Sequence, residues 1–267
     1  MDTVLVTVAL VFYLGAAGLL GRRMARGSQA GEQSKYLPLV LGFGAVLAHG
    51  VVLYGALLGP ETLNLSFFNM LSLVGWLIAL FVLLSALGQP VENLGIAVFP
   101  IATLGLLAQE LAPVNPTLVS RTAVGLEVHI LLSLASYSLL AIAALQAMLL
   151  ALQDRQLRNR RPGGFIRALP PLETMEILLF RLIGIGYLLL TFSLISGAHY
   201  LENIFAQHLV HKTVLSITAW AVFAILIWGR LQFGWRGRTA IRWTLAGFAV
   251  LVLAYFGSKL VLELVLR

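Results

Sequence analysis

The sequence contains no cysteine, and only 11% of its 267 residues are charged. The absence of cysteine excludes disulfides, cysteine-ligated metal sites and thiol chemistry. The scarcity of charge excludes an ordinary soluble domain, in which about a quarter of the residues are charged. Hydrophobic residues make up 60% of the chain, and so few charges could not cover a water-exposed surface around that much apolar material. The composition therefore predicts a protein that is surrounded mostly by lipid.

The charges that are present are mainly positive, and the net charge is +7. A basic protein of this kind could bind nucleic acid, but the Lys and Arg residues are confined to short segments between apolar runs. That distribution follows membrane topology rather than a continuous binding face. We therefore expect membrane lipid, and no nucleic acid, as a partner.

Eight apolar segments run through the chain, and each meets or approaches the roughly 20 residues that a helix needs to cross a bilayer. The first does not resemble a signal peptide, because Asp2 precedes its apolar core and three arginines follow it. The segments are predicted at residues 3–20, 36–58, 67–87, 94–107, 126–152, 177–197, 213–228 and 243–264. The sequence thus predicts an all-α polytopic membrane bundle that forms a single integral membrane domain over residues 1–267.

The basic residues also predict the orientation, because Lys and Arg near helix ends stay on the cytoplasmic side. Four connections hold thirteen of the eighteen basic residues; they are 21–35, 88–93, 153–172 and 229–242. Three connections hold only Arg121 and Lys212; they are 59–66, 108–125 and 198–212. The first group is predicted inside and the second outside, which places the N- and C-termini outside.

Two histidines occupy similar depths near the predicted outer surface. His129 lies one turn inside the outer end of the fifth segment, and His211 lies at the outer start of the seventh. Ionisable groups at membrane depth are costly and are usually paired or functional. Neutral imidazole is an axial ligand of haem iron, so two histidines on separate helices favour bis-histidine ligation of a haem. The alternative for each is an interfacial hydrogen bond.

The other three histidines are further candidates. His49 lies outward of the middle of the second segment beside three glycines, which allow a helix or a flat cofactor to come close. A hydrogen bond between helices explains His49 as well as ligation does. His199 lies at the outer end of the sixth segment and joins the candidate cofactor-binding residues, whereas His208 is as readily an interfacial hydrogen-bonding residue.

Four sequence features carry a resemblance to a known family. They are His129 with Ser133 and Tyr137, the run KTVLSITAW at 212–220, the run GWRGR at 234–238, and the segment 247–257 with its terminal glycines. In this order and spacing, the second half of the chain resembles the cytochrome c assembly protein family of integral membrane haem-handling proteins (the CcsA, CcmC and HemX group). With eight segments, it most resembles the small YpjD-like branch, and the family-like region is predicted over about 36–267.

The chain also departs from that family. Members that present haem outside carry a tryptophan-rich WGxxWxWDxxE signature before the helix that corresponds to the seventh segment, whereas residues 200–211 contain no tryptophan. Trp228 stands where the family has a transmembrane histidine, and the family's second outer-face histidine has no counterpart here. Only the His129 position carries over as a haem ligand, and His211 would be a substitute specific to this branch.

Two functions are compatible with these features. The first is a haem-binding or haem-handling protein of the bacterial inner membrane, with His129 and His211 as iron ligands and His49 and His199 as further cofactor-binding candidates. The second is a haem-free membrane subunit or regulator of another membrane complex, such as a transporter. We expect no catalytic residues and no enzymatic activity, because no nucleophile–base set of recognisable spacing is present.

Overall fold

The computed structural model describes residues 2–26, 36–59, 62–112, 118–120, 124–159, 169–200 and 207–257. These residues form eight α-helices and two short strands. They are α1 (Asp2–Arg26), α2 (Tyr36–Leu57), β1 (Thr62–Asn64), α3 (Phe67–Ala86), α4 (Gly95–Leu111), β2 (Leu118–Ser120), α5 (Val124–Arg158), α6 (Leu172–Tyr200), α7 (Gln207–Phe233) and α8 (Arg238–Val252). A 3₁₀ turn (Glu92–Leu94) precedes α4, and a π-helical turn (Leu253–Gly257) continues α8.

All eight helices are long and apolar enough to cross a membrane, with spans of 20 to 34 residues when the 3₁₀ turn is counted with α4 and the π-helical turn with α8. Helices suit this environment because each backbone N–H and C=O finds its partner within the same segment. The prediction of eight membrane-spanning helices is therefore confirmed. The helices α5 and α7 continue past their predicted ends at 152 and 228 to Arg158 and Phe233. Apolar runs mark the hydrocarbon layer, and a helix need not end where that layer ends.

The chain divides into two compact units. The first contains α1 to α4 together with an antiparallel pair of strands in which Leu63 lies opposite Val119. The second contains α5 to α8 and the π-helical turn. The expectation of a single domain over 1–267 stays a prediction.

Close helix packing in the first unit depends on small residues. A Cβ atom at Gly75 of α3 would lie 3.2 Å from the Cα atom of Ala102 in α4. One at Gly105 of α4 would lie 3.3 Å from the Cα atom of Ser72 in α3. Small side chains let two backbones approach, which is the usual basis of helix association in lipid.

The second unit combines small residues with hydrogen bonds between helices. A Cβ atom at Gly186 of α6 would lie 2.8 Å from a methyl group of Leu140, and the Ser136 hydroxyl donates to the Gly186 carbonyl at 2.8 Å. The helices α6 and α7 are joined by the Trp220 indole, whose N–H donates to the Thr191 hydroxyl at 3.0 Å. These contacts fix α5 beside α6, and α6 beside α7.

Candidate haem-ligand site

His129 lies in the second turn of α5, and its imidazole faces α6. The ring Nδ1 lies 3.0 Å from the carbonyl oxygen of Ser193 and 3.1 Å from the hydroxyl of Ser196. A carbonyl oxygen can only accept a hydrogen bond, so this contact needs a proton on Nδ1. In a neutral imidazole the lone pair is then on Nε2, which is the nitrogen available to bind a metal.

Three serines lie beside His129 and connect α5 to α6. Ser133 donates its hydroxyl to the His129 carbonyl at 2.7 Å, one helical turn away. The same hydroxyl lies 2.7 Å from the Ser193 hydroxyl of α6. Ser196 donates to the Ser193 carbonyl at 2.9 Å, so that one carbonyl serves both the imidazole and a hydroxyl. We call Ser133, Ser193 and Ser196 the serine cluster.

Gly197 of α6 provides the space for the His129 ring. A Cβ atom at Gly197 would lie 2.9 Å from His129 Cε1 and 3.7 Å from Nε2. Contacts under 3.0 Å are too short for real Cβ atoms, so a side chain here would displace the imidazole. The α6 backbone thus approaches the ring because residue 197 has no side chain.

The other two outer candidates, His199 and His211, are solvent- or lipid-accessible. His199 is exposed near the end of α6, and His211 is exposed in the second turn of α7. Within the segments that the structure describes, no group of three His, Asp or Glu side chains could hold a metal ion. The side chain of His208 lies outside the described residues. Ligation of one iron by His129 and His211 therefore stays a prediction.

His49 is fully buried in the first unit, between two hydroxyl groups. Its Nδ1 lies 3.3 Å from the Tyr13 hydroxyl of α1, and its Nε2 lies 2.9 Å from the Ser72 hydroxyl of α3. Both ring nitrogens thus have a partner on a neighbouring helix. This arrangement corresponds to the helix–helix hydrogen bond that was the alternative for His49. Its role as a cofactor ligand stays a prediction.

The glycines beside His49 accommodate side chains of neighbouring helices. A Cβ atom at Gly42 would lie 2.8 Å from Leu83, and one at Gly50 would lie 3.2 Å from the indole nitrogen of Trp76. That indole donates to the Val46 carbonyl at 2.7 Å. In the described structure, protein side chains occupy the space that these glycines provide.

Tyr137 brings together two of the sequence features that carry the family resemblance. It lies two turns beyond His129 on α5, is buried, and packs against Phe248 of α8 at a centroid distance of 5.4 Å. It also contacts Phe256 at 5.5 Å and Tyr255 at 6.3 Å, both in the π-helical turn. Single π-helical turns are frequent at functional sites. Tyr137 is more than a hundred positions from these aromatic residues in the sequence, and no local pattern indicates that they are in contact.

The GWRGR segment forms the turn between α7 and α8. Gly234 and Gly237 both have a positive φ, at 64° and 56°. The ring of Trp235 packs directly on Gly229. The backbone N–H of Trp235 donates to the Gly229 carbonyl at 3.2 Å. Arg230 donates to the Trp235 carbonyl at 3.1 Å. These contacts give the segment a structural role.

Two acidic residues that the sequence did not single out hold this turn. Glu176 of α6 accepts the backbone N–H of Gly237 at 2.7 Å. Asp154 of α5 lies 3.2 Å from Arg238 and 3.1 Å from Arg158. Both carboxylates lie near helix ends, where sequence alone predicts only solvated charge. Gly237 is 61 residues from Glu176, and Arg238 is 84 residues from Asp154. No local pattern in the sequence reveals such a pairing.

Comparison with known proteins agrees with the motifs. The family model described as "Cytochrome C assembly protein" matches residues 37–266. The inner membrane protein YpjD of Escherichia coli (strain K12) is 37% identical over 223 residues, which cover 83% of this chain and 84% of that protein. An uncharacterised 28.8 kDa protein of Azospirillum brasilense is 31% identical over 70% of this chain and 71% of its own. The cytochrome c biogenesis protein CcsA of Prochlorococcus marinus (strain MIT 9303) is 29% identical over 67% and 63%, respectively.

No solved structure matches this chain. The family match covers nearly all the residues from α2 onward. His129, Tyr137 and the GWRGR turn all fall within it. This chain is a membrane protein that belongs to the cytochrome c assembly protein family.

Proposed function

We propose that this protein binds haem at the predicted outer end of its second unit, where Nε2 of His129 would be one ligand of the iron. The observation that carries the proposal is the hydrogen bond between Nδ1 of His129 and the Ser193 carbonyl. Histidines that ligate metals almost always donate their other ring N–H to a carbonyl, a carboxylate or water. The bond leaves the lone pair of the neutral imidazole on Nε2, which suits an iron ligand.

The surroundings of His129 support the same cofactor. Haem iron, when bound, accepts imidazole nitrogens at its axial positions. Buried Tyr137 lies two turns along the same helix and, with the aromatic rings packed against it, makes this part of the unit apolar. His211 is the second ligand that we propose, because it lies exposed at the same end of the unit.

The relatives suggest where the protein works. The Escherichia coli relative is called an inner membrane protein, and the Prochlorococcus relative is called a cytochrome c biogenesis protein. We propose that this chain is likewise a multi-pass protein of a bacterial inner membrane that handles haem for cytochrome assembly. In this proposal the protein supplies ligation and an apolar site, and it catalyses no bond-making step.

An absorption spectrum of the detergent-purified protein tests the proposal. Haem titration of the wild-type protein should give a Soret band that saturates at one haem per chain and shifts on reduction. The variant His129→Ala should lose most of this band. Thr218→Ala is the control, because Thr218 is exposed and its hydroxyl donates to the Val214 carbonyl of its own helix.

Two results would overturn the proposal. One is a wild-type protein that shows no Soret band after loading. The other is a His129→Ala variant whose spectrum is the same as that of Thr218→Ala. Purification of a pigment-free protein with a stable membrane partner would instead support the haem-free subunit or regulator.

A further inference from the structure

The contact between His129 and Ser193 restricts the tautomer of the imidazole. With the proton on Nε2, the bare lone pair of Nδ1 would face the Ser193 carbonyl oxygen at 3.0 Å. Two acceptors at that distance repel each other, because neither has a hydrogen to donate. With the proton on Nδ1, both atoms are satisfied.

Ser196 reinforces this preference through its own hydrogen. Its hydroxyl lies 3.1 Å from Nδ1 and could in principle donate to that nitrogen. Its hydrogen can point to the Ser193 carbonyl at 2.9 Å, and its oxygen then accepts a hydrogen bond from Nδ1–H. The Nδ1–H tautomer therefore satisfies the carbonyl and the hydroxyl together.

The side chains of Ser133 and Ser193 hold the Ser193 carbonyl and the His129 ring in position. Their hydroxyl oxygens lie 2.7 Å apart across the α5–α6 contact, one turn from the imidazole. Ser193 is buried. Its hydroxyl forms a hydrogen bond with Ser133, and its carbonyl accepts one from His129. The hydroxyl pair therefore fixes the position of the carbonyl relative to the ring.

We propose that the serine cluster is a positioning device that holds His129 in the Nδ1–H tautomer and presents Nε2 to haem iron. This inference rests on the proposed function for its ligand, and it adds three positioning residues that act through His129. The serines themselves do not touch the iron in this scheme.

The first experiment needs no haem. Solid-state NMR of the haem-free protein, labelled with ¹⁵N-histidine and compared with His129→Ala, reports which nitrogen of His129 carries the proton. We expect a protonated Nδ1 and an unprotonated Nε2 in the wild-type protein. A protonated Nε2 in the wild-type protein would overturn the inference, whether or not haem binds.

The second experiment measures haem affinity and reduction potential in serine variants. We expect Ser193→Ala and Ser196→Ala to weaken haem binding by about 10- to 100-fold, the usual effect of removing a residue that orients a metal ligand. Both variants should also shift the reduction potential. Ser133→Ala should weaken binding, and Ser133→Thr should restore it because threonine keeps the hydroxyl.

Ser138→Ala is the matched control. Ser138 is a buried serine of the same helix, and its hydroxyl bonds to the Leu134 carbonyl of that helix. Its variant should leave affinity and potential unchanged. If the cluster variants behave like Ser138→Ala while His129→Ala loses haem, the positioning role is wrong and the haem-binding function stands. If the wild-type protein binds no haem, the haem-binding function fails, and the NMR result alone decides the tautomer.

Discussion

The carboxylate of Glu176 accepts the backbone N–H of Gly237 at a distance of 2.7 Å. This bond joins α6 to the turn between α7 and α8, which is 61 residues away in sequence. The other carboxylate oxygen lies 4.0 Å from Arg236 of the same turn. One side chain thus fixes the predicted inner end of three helices.

Replacing Glu176 should therefore destabilise the second unit. In Glu176→Ala the N–H of Gly237 loses its acceptor, which should lower the free energy of unfolding by about 1–3 kcal/mol. Glu176→Gln should lose less, because its amide oxygen can still accept. Thermal unfolding in detergent measures both variants. Glu173→Ala, an exposed position one turn earlier in α6, is the control, and equal melting temperatures for Glu173→Ala and Glu176→Ala would contradict the prediction.

Any residue other than glycine at position 237 should have a strained backbone. Gly237 has a φ of 56° and a ψ of −128°, which lie in a region that other residues rarely adopt. Gly237→Ala should cost about 1–3 kcal/mol of stability. Gly184→Ala is the comparison, because Gly184 is helical and a Cβ there meets nothing within 4 Å. Chemical denaturation in mixed micelles compares the two, and the prediction fails if Gly237→Ala unfolds no earlier than Gly184→Ala.

Gly197→Ala should disturb haem binding more than folding. The added Cβ would lie 2.9 Å from His129 Cε1 and push the imidazole away from α6. We expect at least a tenfold loss of haem affinity, on the order of the effect of other groups that orient a ligand. Haem titration measures this, again beside Gly184→Ala. An unchanged affinity would mean that the ring position at α6 does not govern ligation.

The second axial ligand can be identified by a pair of variants. We expect His211→Ala to convert a six-coordinate low-spin haem to a five-coordinate high-spin haem, and His199→Ala to leave the spin state unchanged. Electron paramagnetic resonance of the oxidised protein distinguishes the two states. The reverse result would assign the second ligand to His199.

His49→Ala separates a structural role from ligation. Removal of the imidazole leaves the buried hydroxyls of Tyr13 and Ser72 without this partner, at a cost of about 1–3 kcal/mol for each buried group left unpaired. We expect a lower melting temperature with an unchanged haem spectrum. A loss of haem stoichiometry in the folded variant would instead support His49 as a ligand.

The eight spans could be predicted from sequence because length and apolar composition are local properties that the bilayer thickness selects. The place of His129 near the start of α5 could be predicted in the same way. Its contact with Ser193 could not, because the two residues are 64 positions apart and nothing in the α5 pattern specifies which helix lies beside it. The neighbours of His49 could not be predicted for the same reason, and the sequence therefore left ligation and a hydrogen bond between helices equally open.

The motif residues show a second limit. GWRGR was a recognisable feature of the sequence, but its physical reason became visible only in three dimensions. Gly234 and Gly237 supply positive φ angles, and Trp235 fills the space above Gly229. The partners Glu176 and Asp154 looked like ordinary charges at helix ends, because an acidic residue there has the same local pattern whether or not it has a distant partner.

The closure of the α7–α8 turn has a consequence for biogenesis. Its bonds from Trp235 to Gly229 and from Arg230 to Trp235 span only six and five residues. Contacts between near neighbours form early, since little chain entropy opposes them. The helices α7 and α8 can therefore enter the bilayer as a preformed hairpin. By then α5 and α6 are already synthesised, so Asp154 and Glu176 are available to bind the turn of that hairpin.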